Sequence, residues 1–415
     1  MAKIVIEGKN QLNGEIRING AKNSALPILA ATILCSGGCE ILDVPPITDI
    51  TNMLALISET GLKASLSKEI FKSEAATEIA PFASYNMTNK LRASFLVAGP
   101  LLARKGYAEI AYPGGCPIGA RPVDLHLKGF SKLGAQINNK NGYIELKCQH
   151  LKGNKIYLDF PSVGATENIM MTAVLASGVT IIENAAAEPE ICDLANFLNT
   201  MGANITGAGT DTIKITGVAE LSGGEYTIIP DRIEAGTYMI FVAATGGKLK
   251  LTNVICDHLK PVIAKLREAG VNVIEKENYI MVEGKTTVKP IDIKTLPYPG
   301  FPTDLQSQFC ALLTKAKGTS IITETIFENR FQHVGELKRL GAKITAEGRT
   351  AIIEGTGSLF GAEVMASDLR ASAALITAGL IADGKTIIED TGHILRGYHN
   401  IVPNLQKLGA NIRIE

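Results

Sequence analysis

No run of this chain is apolar for long enough to cross a membrane. The longest, Ala371 to Ala382, falls well short of the ~20 residues a bilayer demands. Nor is there an excess of charge of either sign: 41 basic residues face 41 acidic ones. That balance excludes a nucleic-acid or anionic-membrane partner recognised by bulk charge, although a local cluster of Arg and Lys can still hold an anionic ligand. Cysteines number seven, an odd count, and none shows the C-x-x-C spacing of a zinc site. His-rich or acidic metal-ligand clusters are absent too, so neither a metal nor another cofactor is expected. The N-terminal MAKIVIEGKN reads as a strand rather than a signal peptide. A chain that needs no disulfide staples fits the cytoplasm.

What is present is ordinary soluble-globular material, with 46% hydrophobic and 20% charged residues. At 415 residues the chain is too long for one core, and two or more domains are expected. Their organisation is written as a repeat. The phrase "helix end, Gly, strand" recurs as ISETGLKAS, FSKLGAQIN, LNTMGANIT, LREAGVNVI, LKRLGAKIT and LQKLGANIR, with glycines at Gly61, Gly134, Gly202, Gly270, Gly341 and Gly409. A glycine after a helical pattern supplies the left-handed residue that ends it. In step with this signal, six nearly all-apolar helices precede a strand, among them ATENIMMTAVLASG and LRASAALITAGLIADG. Helices apolar all round are buried on several sides.

One unit therefore reads as βαβαββ. Six equally apolar units argue against a solenoid, whose end repeats need polar caps, and for two α/β globules of three repeats each. The strands KIVIEG and GEIRING have no preceding unit and are expected to complete the last repeat, which stops at NIRIE. The termini then share one domain, residues 1–21 with 230–415, and residues 22–229 form the other.

In five units the loop before the buried helix carries charge that packing does not need. These are Lys22 with Asn23, Arg92, Asp231 with Arg232 and Glu234, Asp304, and Asp368 with Arg370. The remaining unit offers Ser162, Gly164, Thr166 and Glu167. Equivalent points of a repeat face equivalent places, so the domains are expected to present these loops to each other across a cleft. Helix N-termini with Arg or Lys favour phosphate. Taken singly, Asp231-x-x-Glu234, Thr303-x-x-Gln306 and Asp368 read as helix caps. Their recurrence at one point of the repeat is what favours function.

The most distinctive segment is YPGGCPIGARPVDLH, residues 112 to 126, a Pro/Gly-punctuated loop. Cys116 sits at its tip, five residues before Arg121. A thiol near cations titrates lower and can move a proton near neutral pH. The other six cysteines lie in predicted helices or strands and read as small buried hydrophobes.

The segments GAKNSALPILAA, LRAS, PGGCPIGARPVDLH, PSVGATEN, PDRIEAGT, GFPTDLQ, IFENRF, SDLRASAAL and HILRGY together resemble the UDP-N-acetylglucosamine 1-carboxyvinyltransferase family of enolpyruvyl transferases, from end to end. Pro117 departs from the pattern, where the family more often has threonine. The resemblance implies an α/β fold of two inside-out, barrel-like domains, each of three βαβαββ repeats. It implies an enzyme of peptidoglycan synthesis with two small-molecule substrates, phosphoenolpyruvate and UDP-N-acetylglucosamine, and a thiol open to epoxides such as fosfomycin.

The roles it implies follow residue by residue. Lys22, Arg121 and Arg396 would hold the phosphate and carboxylate of phosphoenolpyruvate, with Asn23 beside them. Cys116 would be the acid, and Asp304 the base at the sugar 3′-hydroxyl. Arg92, the stretch Arg121, Pro122, Val123, Asp124 and Leu125, the loop Ser162, Val163 and Gly164, and Ile326 would contact the UDP-sugar. Asp231, Asp368 and Arg370 would orient groups or brace domain closure. Competing readings are the sister 3-phosphoshikimate 1-carboxyvinyltransferase, an RNA 3′-phosphate cyclase and a non-catalytic UDP-sugar-binding protein. The Cys116 loop and the PVDLH run count against the first. Neutral charge counts against the second, and retention of Lys22, Cys116, Asp304 and Arg396 together against the third.

Overall fold

The computed structural model describes residues 3–75, 78–114, 119, 122–285 and 287–415. Contacts divide the chain into two units, one built mainly from Met1–Asn19 and Pro230–Glu415, the other mainly from Gly20–Cys116 and Ala120–Ile229.

In the unit that holds both termini, the helices Arg232–Thr245, Gln306–Leu313 and Leu369–Ile381 pack on one another. Every residue from Ile233 to Ala244, and from Arg370 to Leu380, is buried. Sequences without a polar face can be satisfied only this way. Among the described residues three four-stranded sheets belong to this unit. Their strands alternate, as in Lys248–Thr252, where Leu249 and Leu251 are buried and Lys248 is exposed, the period-2 signature of a sheet with one face on a core.

The second unit repeats the scheme around Lys22–Ala31, Ala98–Lys105 and Val163–Ala173, again with three four-stranded sheets among the described residues. One helix departs from expectation. The stretch from Arg92 to Lys105 reads as a single helix, but Arg92–Val97 is 3-10 and only Ala98–Lys105 is α. Pro100 has no N–H to return to the carbonyl of Leu96, so regular α geometry starts late.

All six sheets share one pattern. The strand after each buried helix pairs in parallel with an edge strand and antiparallel with one strand of an antiparallel pair, which is a hairpin in five of the sheets. A helix is the usual crossover that such parallel pairing requires. The six glycines that end the amphipathic helices have φ of 91°, 102°, 106°, 93°, 89° and 102° in chain order, which side chains with a Cβ rarely adopt. None of these sheets closes into a barrel among the described residues; helices lie inside and open sheets outside.

The N-terminal strands correct the expectation for them. Ile4–Glu7 does enter the last repeat, between Lys385–Glu389 and Asn411–Ile414. Asn13–Arg17 does not: it pairs in parallel with Lys248–Thr252. The strand that precedes the Arg232–Thr245 helix in sequence, Gly224–Thr227, pairs with Cys39–Leu42. That leaves the edge of Lys248–Thr252 open for Asn13–Arg17.

Close helix packing in the second unit depends on Gly99, whose N–H donates to Asn168 Oδ1 at 2.8 Å. A Cβ there would lie 2.4 Å from that oxygen, 2.5 Å from the Asn168 carbonyl and 2.6 Å from Thr172 Oγ1. Gly99→Ala should therefore destabilise the protein by roughly 1–3 kcal/mol, although alanine is favoured in a helix by about 1 kcal/mol. Urea unfolding measures the sign, and a more stable variant would refute the close approach.

Candidate active site

In the unit with both termini, Asp304 is the centre of a charged network. It lies in the turn Thr303–Leu305, just before a fully buried helix. One carboxylate oxygen accepts from Arg330 Nη2 at 2.8 Å and the other from Arg370 Nη2 at 2.8 Å. Both arginines are about 5% exposed. Arg370 also donates from Nη1 to the Tyr398 hydroxyl at 3.0 Å, and that hydroxyl lies 2.9 Å from Thr237 Oγ1. Burial works against the charge on Arg370, but Asp304, with Tyr398 and Asp231 behind it, raises its pKa above the ordinary arginine value. Burial likewise raises the Tyr398 hydroxyl, against the pull of Arg370 and Thr237.

Asp231 and Asp368 are N-caps. Asp231 accepts from the N–H groups of Ile233 and Glu234 at 2.8 and 3.0 Å, and Asp368 from those of Arg370 and Ala371 at 2.8 and 3.1 Å. Asp368 thereby fixes the start of the helix that carries Arg370. The reciprocal half of the Asp231 box is absent, because Glu234 instead accepts from Asn19 N and Nδ2 at 2.9 and 2.7 Å. The Thr303-x-x-Gln306 box does not form either. Pro302 takes the cap position, and the Thr303 hydroxyl donates to Glu324 Oε2 at 2.8 Å. Ile326 is half-buried on the same Glu324 loop, and Arg396 ends the 3-10 turn Thr391–Arg396, two residues before Tyr398.

In the other unit, Lys22 and Asn23 open the Lys22–Ala31 helix. The Lys22 ammonium lies 3.4 Å from Asp49, and their side chains are 12% and 3% exposed. The next residue, Ser24, donates to Asp193, whose other oxygen accepts from the Tyr226 hydroxyl at 2.5 Å. Burial first raises the Asp193 pKa, against these bonds.

A second cluster in that unit joins three of the expected sugar-contacting segments. Ser162 caps the Val163–Ala173 helix, accepting from Ala165 N at 3.4 Å, so Val163 and Gly164 form its first turn. Pro122 and Asp124 are exposed and Val123 is buried at the start of Asp124–Lys132, where Leu125 is half-buried. Gly164 lies against the His126 ring, which any Cβ there would approach to 3.2 Å. Asn168 Nδ2 lies 3.1 Å from His126 Nδ1 and donates to the Phe95 carbonyl at 2.8 Å. Phe95 belongs to the 3-10 turn that starts at Arg92. One buried amide therefore ties together the turn of Arg92, the Pro122–Leu125 stretch and the Ser162–Gly164 turn. In the same helix Glu167 is buried, and burial together with Glu190 and Glu188 pushes its carboxyl well above the usual range.

Cys116, Pro117 and Arg121 lie outside the described residues. Among the described residues no three His, Cys, Asp or Glu side chains group as metal ligands would, and no helix is long and apolar enough to cross a membrane. Sequence reasoning missed Arg330, Tyr398, Glu324, Asp49, Asp193 and Asn168. Arg330 and Tyr398 stand inside IFENRF and HILRGY, so the signal was present without a role attached to them.

The sequence profile of the EPSP synthase (3-phosphoshikimate 1-carboxyvinyltransferase) family matches residues 6–405. The chain is 58% identical over 414 residues to the UDP-N-acetylglucosamine 1-carboxyvinyltransferase 2 of Carboxydothermus hydrogenoformans, covering 99% of both chains. It is 57% identical over 410 residues to the UDP-N-acetylglucosamine 1-carboxyvinyltransferase 1 of Caldanaerobacter subterraneus, again over 99% of both. This chain belongs to the UDP-N-acetylglucosamine 1-carboxyvinyltransferase family. Among solved structures it shares its fold with the enolpyruvyl transferase NikO of Streptomyces tendae, at a TM-score of 0.89 and 24% identity, covering 100% of this chain and 98% of that one. An EPSP synthase of Acinetobacter baumannii aligns at 0.80 with 20% identity, covering 100% of both.

One property of this enolpyruvyl transferase is set by His333, which is 1% exposed beside the network. Its ring hydrogen-bonds the Arg330 backbone, and Nε2 has no partner. Burial, which Asp368 opposes, pushes its pKa down to about 4. An unfolded histidine titrates near ~6.5, so acid protonates the unfolded chain first. The stability that depends on a neutral His333 is complete above about pH 6.5 and is lost as pH falls toward about 4, amounting to roughly 3 kcal/mol. Unfolding free energies of wild type and His333→Gln, measured across pH 4–7, should show a flatter dependence in the variant. Parallel curves would contradict the assignment.

Proposed function

We propose that this chain is a cytoplasmic enzyme that transfers the enolpyruvyl group of phosphoenolpyruvate to the 3′-hydroxyl of UDP-N-acetylglucosamine, releasing phosphate on the way to peptidoglycan. The observation that carries this reading is the extent of identity with relatives named for the reaction, which spans essentially the whole chain. Its partners are these two small molecules. Balanced charge offers a polyanion no bulk attraction.

The chemistry accounts for the residue types. Phosphoenolpyruvate is strongly anionic, and Lys22, Arg121 and Arg396 are the charge-assisted donors suited to its phosphate and carboxylate, with Asn23 as a polar neighbour. Arg92, Pro122 to Leu125, Ser162 to Gly164 and Ile326 take the UDP-sugar. The Cys116 thiol gives its proton to the methylene carbon of phosphoenolpyruvate, leaving an oxocarbenium-like C2. The sugar 3′-oxygen bonds to that carbon as its proton passes to Asp304. Loss of a proton from the new methyl group then breaks the C–O bond to phosphate and restores the double bond.

Asp304 is built for the acceptor side of this sequence. Two arginines hold its oxygens, one on each. They fix its plane, which is what orienting a hydroxyl requires. Asp368 and Asp231 serve Arg370 and the helix starts. Excluding water from the reacting atoms protects the cationic carbon.

Phosphate release that requires both substrates tests the reading, and release with shikimate 3-phosphate as the acceptor would favour the sister activity instead. Arg396→Ala should lower kcat/KM for phosphoenolpyruvate by roughly 10- to 200-fold, while calorimetry finds UDP-sugar binding nearly unchanged. Loss of UDP-sugar affinity would reassign this arginine. Cys116→Ser should cost about 10²–10⁴ in rate, whereas Cys116→Asp, which can also carry a proton, should keep more activity with a lower pH optimum. An active Ser variant beside a dead Asp variant would remove Cys116 as the acid.

A further inference from the structure

The repeat has a marker just after the strand that follows each buried helix. In four units that place is held by Asp43, Asn184, Asn253 or Asp390, with φ of 59°, 52°, 55° and 57°. Short Asn and Asp side chains tolerate this left-handed turn. Asn184 and Asn253 use it to donate to the carbonyls of Leu158 and Ile18, at 2.7 and 2.8 Å, where the parallel edge strand ends. In the unit that carries Asp304 the same place is held by Glu324, which follows Thr319–Thr323 and lacks a positive φ.

Glu324 is completely buried. Its Oε1 accepts from Thr295 Oγ1 at 2.9 Å, from Ile326 N at 2.8 Å and from Phe327 N at 3.2 Å, while Oε2 accepts from Thr303 Oγ1 at 2.8 Å. Thr295 stands where Leu158 and Ile18 stand in the other units, at the end of the edge strand Ile293–Lys294. The chain then detours through Leu296–Phe301 before its buried helix begins, a longer approach than in the four units with Asn or Asp; the unit of Phe82–Ala83 has a comparable segment through Tyr85–Thr88. The exchange of a short amide for a buried carboxylate thus coincides with a longer approach to Asp304. Burying a carboxylate is expensive unless its acceptor capacity is used. Here the four donors come from the strand end, the Asp304 turn and the Ile326 loop.

We propose that Glu324 is a positioning residue of the transferase reaction, holding the Asp304 turn and the Ile326 loop in fixed register so that the UDP-sugar hydroxyl meets its acceptor. This rests on the function proposed above. Thr303 is the link to Asp304, and the Ile326 and Phe327 N–H groups are the link to the sugar-binding loop. No residue of the phosphoenolpyruvate clamp is attached to Glu324 among these contacts, so the donor side should not feel its loss.

The test compares Glu324→Asn, which installs the residue used in two sister units, with Thr303→Val, which cuts only the Asp304 arm. Each is assayed for phosphate release with both substrates varied, alongside calorimetric binding of UDP-N-acetylglucosamine. Glu324→Asn should lower kcat by about 10- to 100-fold and raise the KM for the UDP-sugar, with the KM for phosphoenolpyruvate within about twofold. Thr303→Val should lower kcat by roughly tenfold and leave UDP-sugar affinity close to wild type. Should Glu324→Asn fail to fold, the Thr303→Val result decides alone. Wild-type kcat in Thr303→Val, or a phosphoenolpyruvate KM that rises in step with the sugar's, overturns the proposal while an active wild type leaves the function standing. A wild-type chain inert with both substrates overturns the function itself.

Discussion

A helix that is apolar on every side can present charge only at its ends. Six helices of this kind organise the two units, and the polar chemistry of the chain is pushed to their first turns for that reason. Lys22 opens one and Arg232 another, Arg370 sits in the first turn of a third, and Ser162, Asp231 and Asp368 cap the starts of theirs. Free N–H groups at such ends need acceptors, which explains why acids and hydroxyls gather there in any protein of this build. What exceeds that need is the pairing of Asp304 with two arginines.

The pairing is expensive. Arg330 and Arg370 are nearly buried, and taking guanidinium groups out of water costs several kcal/mol each before their partner repays it. Apolar side chains of similar volume would often give a more stable unit. The cost is contained because the network is closely satisfied: Tyr398, Thr237 and Gln308 extend it inward from Arg370, and Glu324 and His333 brace the backbone on either side of Arg330. A rigid polar centre of this sort trades stability for geometry, which is the exchange an active site makes.

Legibility in the sequence followed the range of the interaction. The six helix-ending glycines could be read because a left-handed residue is a local demand of the backbone. The caps at Asp231 and Asp368 were equally local. Thr303 misled because Pro302, with its fixed φ, took the cap and released the hydroxyl to Glu324, twenty-one residues on. Arg330 and Asn168 gave no local sign of what they join, since their partners are distant in sequence. Strand exchange at Asn13–Arg17 was hidden for the same reason: an alternating strand states which face it buries but not which edge it meets. The departure at one turn position, Glu324 where four other units carry Asn or Asp, was visible in the letters yet meaningless until the carboxylate was seen inside.

The Ile4–Glu7 strand carries a consequence for how the chain is made. It leaves the ribosome long before its neighbours, Lys385–Glu389 and Asn411–Ile414. The backbones of Lys3 and Glu415 even exchange two hydrogen bonds, both 2.8 Å. The Gly20–Ile229 unit, by contrast, has all its strands once Thr227 is synthesised. A nascent chain therefore carries one completed unit beside an early strand whose edges stay unpaired until those late strands emerge. Unpaired edges of that kind recruit other chains. This gives a cell reason to guard that strand with chaperones during the interval.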